Sequence, residues 1–202
     1  MEYWNDLITQ KSWEVLQKLN NVKFTLIGGW AAYLWTKSHK SRDIDIIVDF
    51  DELEKIKHNF TLHKNDSLRK YEIKIDEIDI DIYVPFYSRL SLPVEFVMRH
   101  TTKIEGFRVV KPEILLILKQ GAERDRKDSE KGLKDRIDIM ALVCKVDIDF
   151  RAYGEILERY GLQQYKKEAI SIIKGFKEIK YLGLNPREFK LKKAEIMHKM
   201  RY

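Results

Sequence analysis

Cysteine is nearly absent: Cys144 is the only one in 202 residues. A single thiol excludes an intrachain disulfide framework and a thiolate zinc site. Its setting in IMALVCKV points to a buried, inert side chain rather than a nucleophile. Long apolar runs are lacking too. No stretch approaches the ~18 residues needed to cross a bilayer. MEYWNDLITQ has no basic segment followed by an apolar one, so no secretory signal is expected. Proline is scarce, with 4 residues, and there is no internal repeat or low-complexity linker. The five histidines, His39, His58, His63, His100 and His198, show no ligand spacing. These absences leave the expectation of a cytoplasmic chain with no membrane partner. Its apolar content of 44% is enough for a sizeable core.

Charge is uneven. Residues 1–102 carry 14 Lys/Arg against 16 Asp/Glu, whereas residues 103–202 carry 24 against 16. Within the second half, residues 163–202 hold 11 against 4. Basic C-terminal helices suit a polyanionic partner such as RNA or tRNA, or else form a solvated surface.

Periodicity divides the chain into an α/β domain over 1–110 and a helical region over 111–202. In the first, residues 4–19 have helical spacing through Trp4, Leu7, Ile8, Trp13, Val15, Leu16 and Leu19. KFTLI (23–27) is a strand, Gly28-Gly29 breaks it, and WAAYLWTK (30–37) is a helix. DIDIIVD (43–49) is a strand ending at Asp49. Asp51 with Glu54 predicts a capped helix over 52–58. LRKYEIKI (68–75) and IDIDIYV (78–84) form an antiparallel hairpin, because Asp76-Glu77 is too short for a helical crossover. PVEFVMRH (93–100) is a short helix, and KIEGFRVV (103–110) is a hairpin or a pair of edge strands. From Pro112, at a first-turn position, the pattern is helical to the end. The last helix is capped by Asn185, with Pro186 first and Glu188 third. The charged run ERDRKDSEKGLKDR (123–136) is an exposed loop or a frayed helix end.

Asp43 and Asp45 are two apart in a strand and so project together. Paired carboxylates repel, and burying them is costly unless a cation lies between them. Hard, oxygen-seeking Mg²⁺ is the natural candidate, with Mn²⁺ as an alternative. Asp79 and Asp81 share a face in the same way. Asp81 is preferred as a third carboxylate because it lies deeper in the apolar alternation, with Asp79 left open. The Gly28-Gly29 turn lets backbone approach a ligand, and N–H groups at a helix N-terminus bind phosphate.

Gly28-Gly29, a 13-residue gap, Asp43-x-Asp45 and a later Asp81 resemble the signature of the polymerase-beta-like nucleotidyltransferase superfamily over residues 23–84. Downstream, Lys119 in PEILLILKQ and the element Lys134-Asp135-Arg136-Ile137-Asp138-Ile139 are similar to the abortive-infection toxin-type branch. Gly29 stands where Ser is common in the motif. The C-terminal 60 residues resemble nothing nameable. The resemblance implies a minimal nucleotidyltransferase mixed sheet with flanking helices, followed by a C-terminal helical bundle. It implies transfer of a nucleoside monophosphate from an NTP to an acceptor hydroxyl on RNA, protein or a small molecule, within a toxin–antitoxin system. By the same resemblance Asp43, Asp45 and Asp81 would hold the metals, Gly28 and Gly29 the β/γ phosphates, and Lys119 would neutralise phosphate. Lys40, Ser41 and Arg42 would be secondary phosphate contacts, and Tyr87 and Arg89 candidates for the acceptor side. Asp135 and Asp138, three apart on a helix, are expected to form ion pairs that hold it in place. The rival readings are a catalytically inactive nucleotide- or nucleic-acid-binding module and an antitoxin acting through protein contact. A partner protein or a homodimer is compatible with each.

Overall fold

The structure, a computed structural model, describes residues 6–201. The chain forms two compact units, the first ending at Lys111 and the second beginning at Pro112.

The first unit is built on a mixed sheet whose strands among the described residues follow the spatial order His63–Asn65, Lys70–Ile75, Ile78–Tyr83, Ile44–Ile47, Thr25–Ile27, Phe107–Val110, Thr101–Ile104. In chain order the elements are α1 (Asp6–Lys18), β1 (Thr25–Ile27), α2 (Gly28–Thr36), β2 (Ile44–Ile47), α3 (Phe50–Asn59), β3 (His63–Asn65), β4 (Lys70–Ile75), β5 (Ile78–Tyr83), α4 (Val94–Arg99), β6 (Thr101–Ile104) and β7 (Phe107–Val110). β2 runs parallel to β5 and antiparallel to β1, and β1 runs parallel to β7. Strand alternation sorts the side chains into two faces. Leu26, Ile44, Ile46, Ile80 and Ile82 lie on one face and are fully buried. Each such side chain contributes about 1.5–3 kcal/mol of burial free energy. Asp45 and Asp81 fall on the other face. On α2, Trp30 is fully buried and its indole N–H donates to Ser12 Oγ at 2.8 Å, fixing α2 against α1.

The second unit is helical: α5 (Pro112–Asp125), α6 (Glu130–Lys145), α7 (Phe150–Arg159), α8 (Gln164–Gly175) and α9 (Pro186–Lys199). Buried polar groups tie it together. The Tyr153 hydroxyl donates to Gln120 Oε1 and the Gln120 amide donates to Tyr165 O, each at 2.7 Å. α9 carries the capping box on Asn185 and Glu188, with Pro186 in its first turn. Cys144 is buried, which pushes its thiol up to about 11 and keeps it protonated.

Several expectations need adjustment. The expected start of the first helix at Trp4 lies outside the described residues. α2 begins at Gly28 itself rather than after the glycine pair. The cap of α3 is Asp49, whose side chain accepts from Glu52 N at 2.8 Å, and Asp51 sits inside the first turn. Either aspartate satisfies a capping pattern; β2 ends early enough for the first to be used. β3, with the polar sequence His-Lys-Asn, gave no strand signal. The charged run 123–136 is helical on both sides of a turn at Arg126–Ser129, and Glu123, Gly132 and Asp135 are buried. No helix among the described residues is long and apolar enough to cross a membrane.

Candidate active site

β2 pairs with β5 in a register that sets Asp45 directly beside Asp81. Parallel neighbours at one level share a face, about 4.8 Å apart at the backbone. Asp43 stands one residue before β2, and its charge acts on Asp81, so the carboxylates occupy one region of the sheet.

Gly28 closes this region from the β1 side. Its φ is +65°, and a Cβ there would lie 2.0 Å from Asp45 Oδ2 and 2.6 Å from Asp45 Cγ. Only glycine leaves room for the carboxylate. Gly29 shows the same constraint against Ser41, whose Oγ would be 2.4 Å from an added Cβ. Ser41 is buried there. The glycine pair thus forms the first turn of α2 and packs on a carboxylate and a hydroxyl from the segment around β2. Free N–H groups in such a turn are an anion-binding device.

Asp81 is not alone on β5. Lys70 Nζ lies 2.6 Å from Asp81 Oδ2 and 2.9 Å from Glu72 Oε1, with the Lys70 side chain only 12% exposed. Burial pushes the Asp81 carboxyl up; the Lys70 ammonium works against this, while the Glu72 and Asp43 charges add to it. Burial also acts to lower Lys70, but its bonds to Asp81 and Glu72 outweigh this and the net direction is up. Glu72 is held down, chiefly by its bond to Lys70. Lys70 and Glu72 were not singled out from the sequence, yet the signal for Glu72 was present. A two-residue turn at Asp76-Glu77 pairs Ile75 with Ile78, and counting back sets Glu72 opposite Asp81. Asp79 is more exposed and pairs with Lys74 at 3.6 Å.

Arg42 is exposed, 3.9 Å from Asp43 Oδ1. Lys40 Nζ donates to Gln10 Oε1 at 3.2 Å. The Tyr87 hydroxyl donates to Asp66 Oδ1 at 2.9 Å, and Arg89 is exposed. Lys119 lies on α5 in the second unit and is buried, 2.6 Å from Asp138 Oδ2 and 3.3 Å from Asp135 Oδ1. Arg126 Nε completes that cluster at 2.7 Å from Asp135 Oδ2. The expected ion pairing of Asp135 and Asp138 is therefore made with Lys119 and Arg126.

The donor set on the sheet consists of carboxylate oxygens, which suits a hard divalent cation. Among the described residues, no three His, Cys, Asp or Glu side chains converge into a metal cluster, and Asp81 is engaged by Lys70. Asp43 and Asp45 stand two residues apart at the start of β2. One or two carboxylates, with phosphate oxygens and water completing the shell, is the usual way proteins hold Mg²⁺.

No family model and no curated protein matches this chain. Among solved structures it is similar to the crystal structure of a candidate nucleotidyltransferase from H. pylori, with a TM-score of 0.54 and 16% identity, covering 96% of each chain. It is also similar to JHP933 from Helicobacter pylori, with a TM-score of 0.52 and 15% identity, covering 98% of this chain and 95% of that one. At such identities the likeness concerns the fold alone. The mixed sheet with flanking helices and a helical C-terminal region is a nucleotidyltransferase-like fold.

Proposed function

We propose that this protein transfers a nucleoside monophosphate from an NTP to an acceptor hydroxyl. The observation that carries the reading is the contact of Gly28 with Asp45, with Asp81 in register beside it. That arrangement sets a glycine turn of the kind that binds phosphate beside two carboxylates, and it constrains both residue types at once.

Asp43 and Asp45 would hold Mg²⁺ or Mn²⁺, which when bound would draw the triphosphate in and offset charge on its oxygens. The backbone N–H groups of Gly28 and Gly29 would orient the terminal phosphates. The Ser41 hydroxyl, fixed against Gly29, and the exposed Arg42 would support them. Asp81, its carboxyl pushed up by burial, is suited to accept the proton of an attacking hydroxyl. Lys70 would keep that carboxylate oriented. The burial of Lys119 between Asp135 and Asp138 supports a structural role for it rather than phosphate contact. A toxin–antitoxin setting rests on the resemblance of residues 112–139 and is part of this proposal only in that sense.

A second reading is favoured by one observation. The ion pair from Lys70 to Asp81 already neutralises the third carboxylate, as a nucleotide-binding module without turnover would allow. Equilibrium binding and turnover separate the two. The transferase reading expects Mg²⁺-dependent NTP binding and labelled product, both lost in Asp43→Ala/Asp45→Ala. The binding-module reading expects binding without product.

A further inference from the structure

Three acidic side chains share one level of the sheet. Asp45 on β2 stands beside Asp81 on β5, and Glu72 on β4 stands opposite Asp81. Neighbours at one level share a face. Like charges directly opposite in a ladder destabilise it, so Glu72 against Asp81 calls for a cation. Lys70 supplies it. Two residues before Glu72 on β4, it falls on the same face. Its Nζ lies 2.6 Å from Asp81 Oδ2 and 2.9 Å from Glu72 Oε1. The Lys70 side chain is 12% exposed, against 23% for Asp81 and 36% for Glu72, so it is the most enclosed of the three.

The anchor of this cation is itself supported. Asn65 on β3 stands level with Lys70, and its amide donates to Glu72 Oε1 at 3.1 Å. Contacts therefore run from Asn65 to Glu72, Lys70 and Asp81 across three strands. A nitrogen bridging two carboxylate oxygens at these distances stands where a divalent cation ligated by the same oxygens would stand. One or two carboxylates with substrate oxygens are enough to hold Mg²⁺. Paired metals clamp the attacking and leaving oxygens in many phosphoryl transfers. Asp43, Asp45, Asp81 and Glu72 together carry the charge that two divalent ions would balance. Lys70 already fills one of the two places.

We propose that Lys70 is a built-in cation standing in for a second metal, so that the site takes a single divalent ion, on Asp43 and Asp45. The inference rests on the transferase reading and deepens it. An ammonium has three donors. Asp81 and Glu72 take two, and the third is left for an oxygen of bound substrate. Lys70 meets Asp81 at Oδ2, and Oδ1 keeps the part of proton acceptor. Unlike a recruited ion, this cation is present in every chain and is not stripped by a chelator. Glu72, which the glycine and aspartate pattern does not require, has the task of fixing Lys70.

The test counts Mn²⁺ bound to the full chain, without nucleotide, by electron paramagnetic resonance of the unbound ion. Wild type should bind about one Mn²⁺ and Lys70→Met about two, the second between Asp81 and Glu72. Lys70→Arg keeps the charge and should stay at about one. Lys70→Met/Glu72→Gln should fall back to about one. Turnover separates a working cation from a purely structural one. Lys70→Met should lose about a hundredfold at the Mg²⁺ that saturates wild type, and regain activity as added Mn²⁺ fills the second place. Glu72→Gln leaves Lys70 present and should keep about one ion, so this variant and wild type remain decisive if Lys70→Met fails to fold. The inference is overturned if wild type binds two ions or none, if Lys70→Met stays at one or is not rescued by Mn²⁺, or if Glu72→Gln loses the ion of wild type. Counts as expected with no NTP turned over by wild type would remove the transferase reading and leave Lys70 as the second cation. Turnover by wild type with a count of two would strike this inference alone.

Discussion

At the scale of single residues, the site depends on where glycine and lysine stand. Gly28 combines a positive φ with a close approach to Asp45, so Gly28→Ala meets two penalties. The left-handed conformation costs about 1 kcal/mol and the overpacking about 1–3 kcal/mol. Urea unfolding should show a loss of roughly 2–4 kcal/mol, and an unchanged midpoint would contradict the contact. Lys70 governs how Asp81 responds to pH. The Asp81 carboxyl is raised in the folded chain, so its contribution to stability is full below its ordinary value of about 3.9 and is lost as pH rises through the raised value. Lys70→Met removes the cation that opposes this rise. The loss of stability should then extend to higher pH than in wild type, and Asp81→Asn should abolish that part of the dependence. Unfolding midpoints across the acid range check this, and identical profiles for wild type and Lys70→Met would exclude it. The glycine turn that opens α2 and the strand that carries Asp45 were legible in the sequence, because spacing and apolar alternation express them. The hairpin register sets Glu72 opposite Asp81, but the engagement of Asp81 by Lys70 was not legible, because Lys70 reaches it diagonally across the ladder rather than from the opposite position.

At the scale of elements, most of the layout was legible wherever polar punctuation and apolar period agreed. Asn185, Pro186 and Glu188 set the start of α9, and its capping box is formed. Asn185→Ala should cost about 1 kcal/mol in thermal unfolding. The β4–β5 hairpin shows the opposite case. Asp76 and Glu77 both adopt positive φ, +47° and +70°, at a two-residue turn where Asn-Gly is the favoured pair. Asp76→Asn/Glu77→Gly should stabilise the chain by about 1 kcal/mol without changing the register, because the exposed pairs of Lys18 with Asp76 and Lys11 with Glu77 are worth little. A destabilised variant would show that those ion pairs outweigh the strained turn. β3 escaped notice for a related reason. His63-Lys64-Asn65 carries no apolar alternation and is a strand only because β4 offers it an edge.

At the scale of the whole molecule, the chain joins an α/β unit that carries Asp45 and Asp81 side by side on one face of its sheet and a helical unit with charges buried inside. Burial of Lys119, Asp135 and Asp138 was not legible, because a run as charged as 123–136 suggests a solvated surface and only tertiary packing turns Asp135 inward. Lys119→Met leaves Asp138 buried without its cation and should destabilise the helical unit by about 3 kcal/mol or more. Adding Asp138→Asn should recover part of that loss, and a neutral effect of the single change would contradict the cluster. The central claim, that the paired carboxylates and glycine turn of the sheet transfer nucleotides, is tested most directly by pyrophosphate release. Each of the four NTPs would be incubated with Mg²⁺ or Mn²⁺ and total cell RNA, comparing wild type with Asp43→Ala/Asp45→Ala. The account predicts release and labelled RNA with wild type only. No release from any NTP, or equal release from the variant, would contradict it.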